Sequence, residues 1–470
     1  MASFHVENFG CRATQADGAA IERQFRDCGL ERADEARTAE VVVVNTCTVT
    51  SAADQDARAA IRRVHRENPG CRIVVTGCYA QRAPQELSTM PGVTHVIGNS
   101  HKHRLVEIAL QGGSGPEPQL GKESQRATVF VPLNALTDGQ RPTTDDGAIF
   151  VSDIFAHTEL LAAPVFEAGD ERTRPNLKVQ DGCDNRCSFC VIPYVRGQSR
   201  SLPLAKVLEQ VNALVAAGYR EVVVSGINLG RWGRDLASAH GVRRPDFEQL
   251  LSSILEQTAL EKLRISSVEP MDWSDGLVRL VAESPRIAKH AHVPMQSGSD
   301  AVLRRMHRKY RPWHYREKIE KIRSAMPTAA IGADVMVGFP GETEGEFEQT
   351  RRMVEELPFT YLHVFTYSAR PGTPAAGMRG QVPVHVARER NRILRDLAQE
   401  KKTAFLRSFA GKTMEAITLG VRRQETDQIL TEALTDNYLK LWLKGDHPPN
   451  HWVKASVSPF ADGALHGVAV

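Results

Sequence analysis

The sequence predicts an α/β protein in three parts: an N-terminal doubly wound parallel sheet, a central incomplete (β/α)6 barrel, and a small antiparallel β-barrel at the C-terminus. Three observations carry that expectation. Short apolar strands alternate with amphipathic helices over residues 1–110. A second alternation, of six strands, begins near residue 174. Past residue 410, short strands are separated by Gly, Asp, Asn and Pro. A chain of 470 residues accommodates several such domains. The expected boundaries are 1–110, a linker over 111–168, 169–400 and 401–470.

In the first part FHVEN reads as a strand, followed by Gly10-Cys11 and a helix through AAIERQFRDCG. VVVVN leads into Thr46-Cys47 and the helix AADQDARAAIRRVHRE, and RIVVT into Gly77-Cys78 and a helix near PQELS. THVIG closes the series. Cys11, Cys47 and Cys78 thus each sit just past the C-terminal end of a strand, about one βα unit apart. Open parallel sheets bind ligands at that edge, so these three distant cysteines are predicted to converge. Cys28, at a helix end, and Cys71, before its strand, do not fit this pattern and read as small buried hydrophobes.

The linker is rich in Gly, Pro and Asp, with VFVPL and AIFVSD as short strands inside it. The central strands are NLKVQ, EVVVS, LRISS, HAHV, AIGAD and YLHVFTY, with helices such as LAKVLEQVNALVAAG between them. Barrel active sites gather at the C-terminal strand ends, where Gly226, Asn228, Glu269, Gln296 and Asp334 fall. A long helix, VARERNRILRDLAQEKKTAFLRSF, then leads to MEAITLG, QILTEAL, YLKLWLK and WVKASVSP, the strands of the small barrel.

No apolar run approaches the roughly eighteen residues that span a bilayer. The opening MASFHVENFGCRATQ lacks the basic and apolar segments of a secretory signal, so a cytoplasmic location is expected. There the eight cysteines stay reduced, and clusters of them point to metal or redox chemistry. The net charge of +3 says little about partners, so a nucleic-acid role has to show locally.

The densest cluster is DGCDNRCSFCVIPYVRG, with Cys183, Cys187 and Cys190 spaced C-x3-C-x2-C directly after the first central strand. Structural zinc wants four ligands, yet no Cys follows Cys190 and the next His is His240. A 4Fe–4S cluster accepts three thiolates and leaves one iron open to a small chelating molecule. This motif resembles that of the radical S-adenosylmethionine (SAM) enzymes, with Phe189 as the aromatic between the last two cysteines. In that family the open iron binds the amino and carboxylate groups of SAM, and reductive cleavage releases a 5′-deoxyadenosyl radical.

The resemblance extends to the methylthiotransferases over nearly the whole chain. GC at Cys11, NTC at Cys47 and TGC at Cys78 are similar to their N-terminal pattern; LKVQDGCDNRCSFCVIPYVRG, HVPMQSGSDAVLRRM and GADVMVGFPGETEGEF are similar to their radical-SAM part; and the C-terminal barrel looks like a TRAM RNA-binding domain. The resemblance implies two 4Fe–4S clusters, one on Cys183, Cys187 and Cys190 and one on Cys11, Cys47 and Cys78, with SAM as cosubstrate. It further implies that one SAM supplies a methyl group and a second a radical that abstracts hydrogen from C2 of an adenine.

Three acceptors occur in the family: threonylcarbamoyl-adenosine in tRNA, isopentenyl-adenosine in tRNA, and an aspartate of a ribosomal protein. NTCTVTSAADQDARAAIRRVHRENPGCRIVVTGCYAQ is most similar to the threonylcarbamoyl-adenosine (MtaB-like) group. FGCRATQ, where LGCKVNQ is typical, and the long linker depart from the pattern without removing a ligand. An electron donor and a sulfur source are implied as partners, as is the anticodon loop of tRNA, whose single strand can splay out a base.

Asn228, Glu269, Gln296 and Asp334 are candidates for the SAM pocket; each residue equally suits a capping role at the barrel mouth. GFPGET reads locally as a turn into a helix with Glu in its first turn. The stretch LRRMHRKYRPWHYREKIEKIR carries nine Lys or Arg against two Glu, with Tyr310, Trp313 and Tyr315 interleaved. Its Arg304, Arg305, Arg308 and Lys309 are candidate RNA contacts, and the competing reading is a solvated helix face with its aromatics in the core. IRRVHR is a second basic candidate, and Arg196 and Arg200 stand within reach of a phosphate or carboxylate in this reading.

Overall fold

The computed structural model describes residues 2–110, 148–157, 160, 173–237, 244–425, 428–458 and 463–470. The described residues up to 160, with Gly182–Asn185 and Cys190–Arg200, form one compact unit, and the others form a second. VFVPL lies outside the described residues.

The first unit is built on six parallel strands in the order β2-β1-β3-β4-β5-β6: β1 (Ser3–Asn8), β2 (Glu31–Arg32), β3 (Val41–Thr46), β4 (Arg72–Gly77), β5 (Val93–Gly98) and β6 (Ala148–Phe150). Every residue of β3 is buried, as a central strand covered on both faces must be. Val42 and Val44 pack with Ala57, Ile61 and Val64 of the helix Ser51–Glu67. Val41 and Val43 pack on the other face with Ile21 and Phe25 of Arg12–Asp27. The sheet is therefore doubly wound, as expected. The AIF stretch, read as part of the linker, instead adds the sixth strand to this sheet.

A four-stranded sheet, β10-β9-β7-β8, comprises β7 (Asn176–Asp181), β8 (Arg200–Ser201), β9 (Glu221–Gly226) and β10 (Lys262–Ile265), and all of it but Arg200 belongs to the second unit. A three-stranded sheet follows: β11 (His290–His292), β12 (Ala330–Val337) and β13 (Tyr361–Thr366). Parallel bridges Leu263–Ile287 and Ser267–His292 join them, so β7, β9, β10, β11, β12 and β13 run parallel in chain order. This is an incomplete six-stranded barrel.

The helix Val384–Arg407 leads to a closed five-stranded barrel, β14-β15-β16-β18-β17, of β14 (Thr413–Glu425), β15 (Gln428–Thr435), β16 (Lys440–Lys444), β17 (Trp452–Val457) and β18 (Leu465–Ala469). Four pairs are antiparallel, and closure is made by the parallel pair β16–β18. Arg264 fixes this barrel to the larger one. Its guanidinium pairs with buried Glu221 at 2.7 Å and donates to the carbonyls of Thr435 and Asp436, each at 3.2 Å. No helix of the described residues is long and apolar enough to cross a membrane.

Candidate functional site

β1, β3 and β4 are neighbours, so the residues that follow them share one sheet edge. Cys11 is the N-cap residue of Arg12–Asp27, Cys47 follows β3, and Cys78 opens the short helix Cys78–Arg82. Glycine makes their approach possible. Gly10 has φ +103°, and a Cβ there would lie 2.4 Å from Cys47 Cβ and 2.7 Å from its Sγ. Gly77, at φ +99°, passes equally close to the backbone of Thr46. The three cysteines thus follow neighbouring strands at one sheet edge, with Cys78 and Cys11 near enough to Cys47 for their charge to be felt. Cys78 and Cys47 are 2% and 5% exposed, whereas Cys11 is exposed. Burial, then the nearby Cys78 and Cys11, push the Cys47 thiol up to about 12. Thiolates are soft donors that suit iron–sulfur chemistry.

In the same unit, Cys183 N–H donates to Gly197 O at 3.0 Å, and Asn185 N–H to Cys183 Sγ at 3.4 Å. Gly182, at φ +71°, has no room for a side chain, because a Cβ would meet Gln198 O at 1.9 Å. Val191 and Val195, downstream of Cys190, pack on Cys78.

Cys187 belongs to the second unit, where Arg308 Nη1 donates to its Sγ at 3.3 Å. Arg308 is 7% exposed, pairs with Glu269 and stacks 4.9 Å from the Tyr310 ring centre. The Tyr310 hydroxyl donates to Met295 O at 2.6 Å. Burial opposes the charge on Arg308, but Tyr310, Glu269 and Cys187 outweigh it and raise its pKa well above the usual arginine value. Ser188 is held at both ends, by Oγ to Arg305 O at 2.7 Å and by N–H to Met306 O at 3.1 Å. Phe189 sits edge-on to Phe339.

The other predicted residues distribute around the larger barrel. Asn228 N–H donates to Gln180 Oε1 at 2.7 Å. Gln296 has φ +63°, a backbone that non-glycine residues seldom adopt, and its N–H donates to Asp334 O at 2.8 Å. Asp334 is drawn to two histidines that sequence reading missed: its Oδ1 lies 3.4 Å from His292 Nε2 and 3.2 Å from His363 Nδ1. Burial opposes its ionisation, yet the two imidazoles hold its carboxyl below the usual carboxylate range. The signal available in the sequence was the alternate spacing of His290 and His292, which puts both on one face of a strand. In the GFPGET turn, Thr343 and Glu346 form a capping box, and buried Glu342 pairs with Arg390 at 2.8 Å.

Burial corrects several basic assignments. Arg308 faces Cys187 and Glu269 and is withdrawn from solvent. Arg305 forms a forked pair with Glu346, and Tyr310 and Tyr315 lie in the core. Arg304, Lys309 and Trp313 remain exposed. Arg196 is buried against Asp17 at 3.0 Å, and Arg200 donates to Gln198 O at 3.1 Å, so neither faces solvent. Arg63 of IRRVHR pairs with Glu7 at 2.6 Å. Cys71 is buried as expected, whereas Cys28 is exposed at the C-cap of its helix. A cavity of about 560 Å³ lies between β13, the helix Val384–Arg407 and the C-terminal barrel; none of these cysteines lines it.

Residues 3–98 match the model of the Uncharacterized protein family UPF0004, and residues 177–354 match the Radical SAM superfamily. The threonylcarbamoyladenosine tRNA methylthiotransferase MtaB of Bacillus subtilis (strain 168) is 36% identical over 446 residues, which cover 95% of this chain and 91% of the relative. The chain belongs to the radical-SAM methylthiotransferases, in the MtaB-like group. A tRNA-2-methylthio-N(6)-dimethylallyladenosine synthase of Novosphingobium aromaticivorans is 32% identical over 420 residues, with 88% of this chain and 86% of the relative covered. Among solved structures, the radical SAM methyltransferase TsrM of Kitasatospora setae superposes with a TM-score of 0.56 at 16% identity, covering 80% of this chain and 75% of that one. That likeness concerns the fold. For this methylthiotransferase the superfamily implies SAM and a 4Fe–4S cluster.

Proposed function

We propose that this methylthiotransferase converts N6-threonylcarbamoyladenosine in the anticodon loop of tRNA to its 2-methylthio derivative. The observation that carries the reading is a second set of three cysteines, Cys11, Cys47 and Cys78, that follow neighbouring strands of one sheet in a chain that also bears the radical-SAM motif. The relatives named as threonylcarbamoyladenosine enzymes, 31–36% identical over most of the chain, support the choice of acceptor.

Cys183, Cys187 and Cys190 would hold the cluster that supplies the electron for SAM cleavage, and Cys11, Cys47 and Cys78 a second cluster that supplies sulfur chemistry. The protein's own part is positioning and charge. Arg308 offsets the thiolate of Cys187 and fixes Glu269, which with Asn228, Gln296 and Asp334 is assigned to the SAM pocket. Arg304, Lys309 and the TRAM-like barrel are the surfaces assigned to tRNA phosphates. An electron donor and a sulfur source complete the partners, in a cytoplasmic setting.

The test is mass spectrometry of nucleosides from tRNA of a strain lacking this gene, with and without the restored chain. Restoration of 2-methylthio-threonylcarbamoyladenosine is expected. Restoration of the 2-methylthio-isopentenyl nucleoside instead would move the enzyme to the acceptor of its dimethylallyl relatives.

A further inference from the structure

The surroundings of Cys11, Cys47 and Cys78 hold charged and polar groups that the spacing of the cysteines did not suggest. Each thiol has a polar partner. Thr14 Oγ1 lies 3.6 Å from Cys11 Sγ, the backbone N–H of Val49 bonds Cys47, and Asn99 Nδ2 lies 3.6 Å from Cys78 Sγ. Asn99 is itself oriented, because its second Nδ2–H donates to Val195 O at 2.7 Å. Thr14 Oγ1 receives a hydrogen bond from Arg196 Nη2 at 3.4 Å. Arg196 also donates to Asp17 Oδ2 at 3.0 Å, and Lys102 Nζ reaches that same oxygen at 2.9 Å. Asp17, Arg196 and Lys102 are 1%, 2% and 4% exposed, so two cations are kept in a dry site around one carboxylate oxygen. Such burial is costly without a return elsewhere. Arg196 lies close enough to Cys47, and Lys102 to Cys78, for charge on each sulfur to be felt.

We propose that Arg196, Thr14, Asn99 and Lys102 are positioning residues that poise the Cys11/Cys47/Cys78 site for reduction, and that Arg196, from the segment after Cys190, belongs functionally to this second site. The inference rests on the reading that an iron–sulfur cluster occupies the site. Reduction adds one electron from an external reductant, with no bond made or broken. Added negative charge is favoured by a cation held nearby in a low dielectric, and by N–H and O–H donors to sulfur. Asn99 and Arg196 give this site both devices. Arg196 is the more dependable cation, since its guanidinium stays charged where a buried ammonium is drawn toward neutrality.

The test uses the full chain in a parent carrying Cys183→Ala, Cys187→Ala and Cys190→Ala, so that only the second cluster remains after anaerobic reconstitution. Iron is counted, and the cluster is titrated with dithionite under electron paramagnetic resonance. Arg196→Gln keeps a donor and removes the charge; Asn99→Leu removes the bond to Cys78; Arg196→Lys restores the charge. Arg196→Gln is expected to make the cluster about tenfold harder to reduce, about 59 mV for one electron. Asn99→Leu should shift it in the same direction by about threefold, and Arg196→Lys should return most of the loss. A change below twofold in both Arg196→Gln and Asn99→Leu, at full iron content, overturns the assignment. So does loss of iron in all three variants, which would make these residues a folding element. A parent that binds no iron removes the cluster reading itself, a failure distinct from an unmoved potential.

Discussion

Gly10 offers the most direct trial of the second site. Replacing it with alanine carries two penalties. A side chain at φ +103° costs roughly 1–2 kcal/mol of backbone strain. The new Cβ would also stand 2.4 Å from Cys47 Cβ and 2.7 Å from its Sγ, against an ordinary carbon contact of roughly 3.5–4.0 Å. The Cys47 side chain must therefore retreat by about 1 Å. Metal–ligand distances tolerate only about 0.2 Å, so a retreat of that size removes the ligand. Gly29 supplies the control: it has φ +81°, but nothing lies within 4 Å of its missing Cβ. Gly29→Ala pays strain alone, worth roughly 2–4 °C of unfolding midpoint per kcal/mol in a unit of this size. Iron analysis after anaerobic reconstitution separates the two. Gly29→Ala should keep about eight iron per chain and Gly10→Ala about four. Gly10→Ala with about eight iron would refute the view that the glycine exists to admit Cys47.

Three further outcomes follow from the same geometry. Cys11→Ala should leave about four iron and undiminished formation of 5′-deoxyadenosine from SAM, while methylthio product in tRNA disappears; about eight iron, or surviving product, contradicts the two-cluster reading. Arg308→Leu strips Glu269 of its partner and Cys187 of a donor, and because the Glu269 side chain is 24% exposed the loss should fall near the lower end for a broken buried pair, about 3 kcal/mol. A double-mutant cycle with Glu269→Gln measures it by denaturant unfolding, and coupling below about 0.5 kcal/mol would show that the pair does not act as a unit. Arg264→Met leaves the Glu221 carboxylate buried without its closest cation and frees two carbonyls of the small barrel, so limited proteolysis should cut near residue 408 faster than in the parent. Unchanged cutting would mean that other contacts hold that barrel.

The order of strands and the placing of three distant cysteines at one sheet edge could be read from the chain because both depend on regular spacing. A βα unit returns the chain to the same sheet edge, so a cysteine after each strand arrives at one place whatever the intervening sequence. The basic residues resisted reading for the opposite reason. A sequence records that Arg196, Arg264 and Arg308 are charged, but not that Asp17, Glu221 and Glu269 wait for them from distant elements. A long, always charged side chain looks like a surface contact until its partner is known. The AIF strand was misplaced because its pairing with β5 spans a long insertion, and neither its length nor its composition reveals which sheet it joins. Asp334 was found as a polar strand-end residue, but the histidines beside it come from the two neighbouring strands, and their approach depends on register.

The burial of Arg308 and of Arg196 has a physical origin that bears on the chemistry. Sulfur ligands carry charge into places where water is to be excluded, and each thiolate needs a donor or a cation to be tolerable there. Cys187 has Arg308, and the N-terminal set has Thr14, Asn99 and, behind them, Arg196. Arginines that look available for RNA in the sequence are thus spent on sulfur in the fold. What remains exposed near the barrel mouth, Arg304 and Lys309, is a smaller set than the composition of that stretch implies. If so, Lys309→Ala should weaken tRNA binding and flatten its salt dependence while leaving SAM cleavage intact, whereas Arg308→Ala should impair SAM cleavage at every salt concentration. Equal salt slopes for the two variants would return Arg308 to the RNA surface and undo this division.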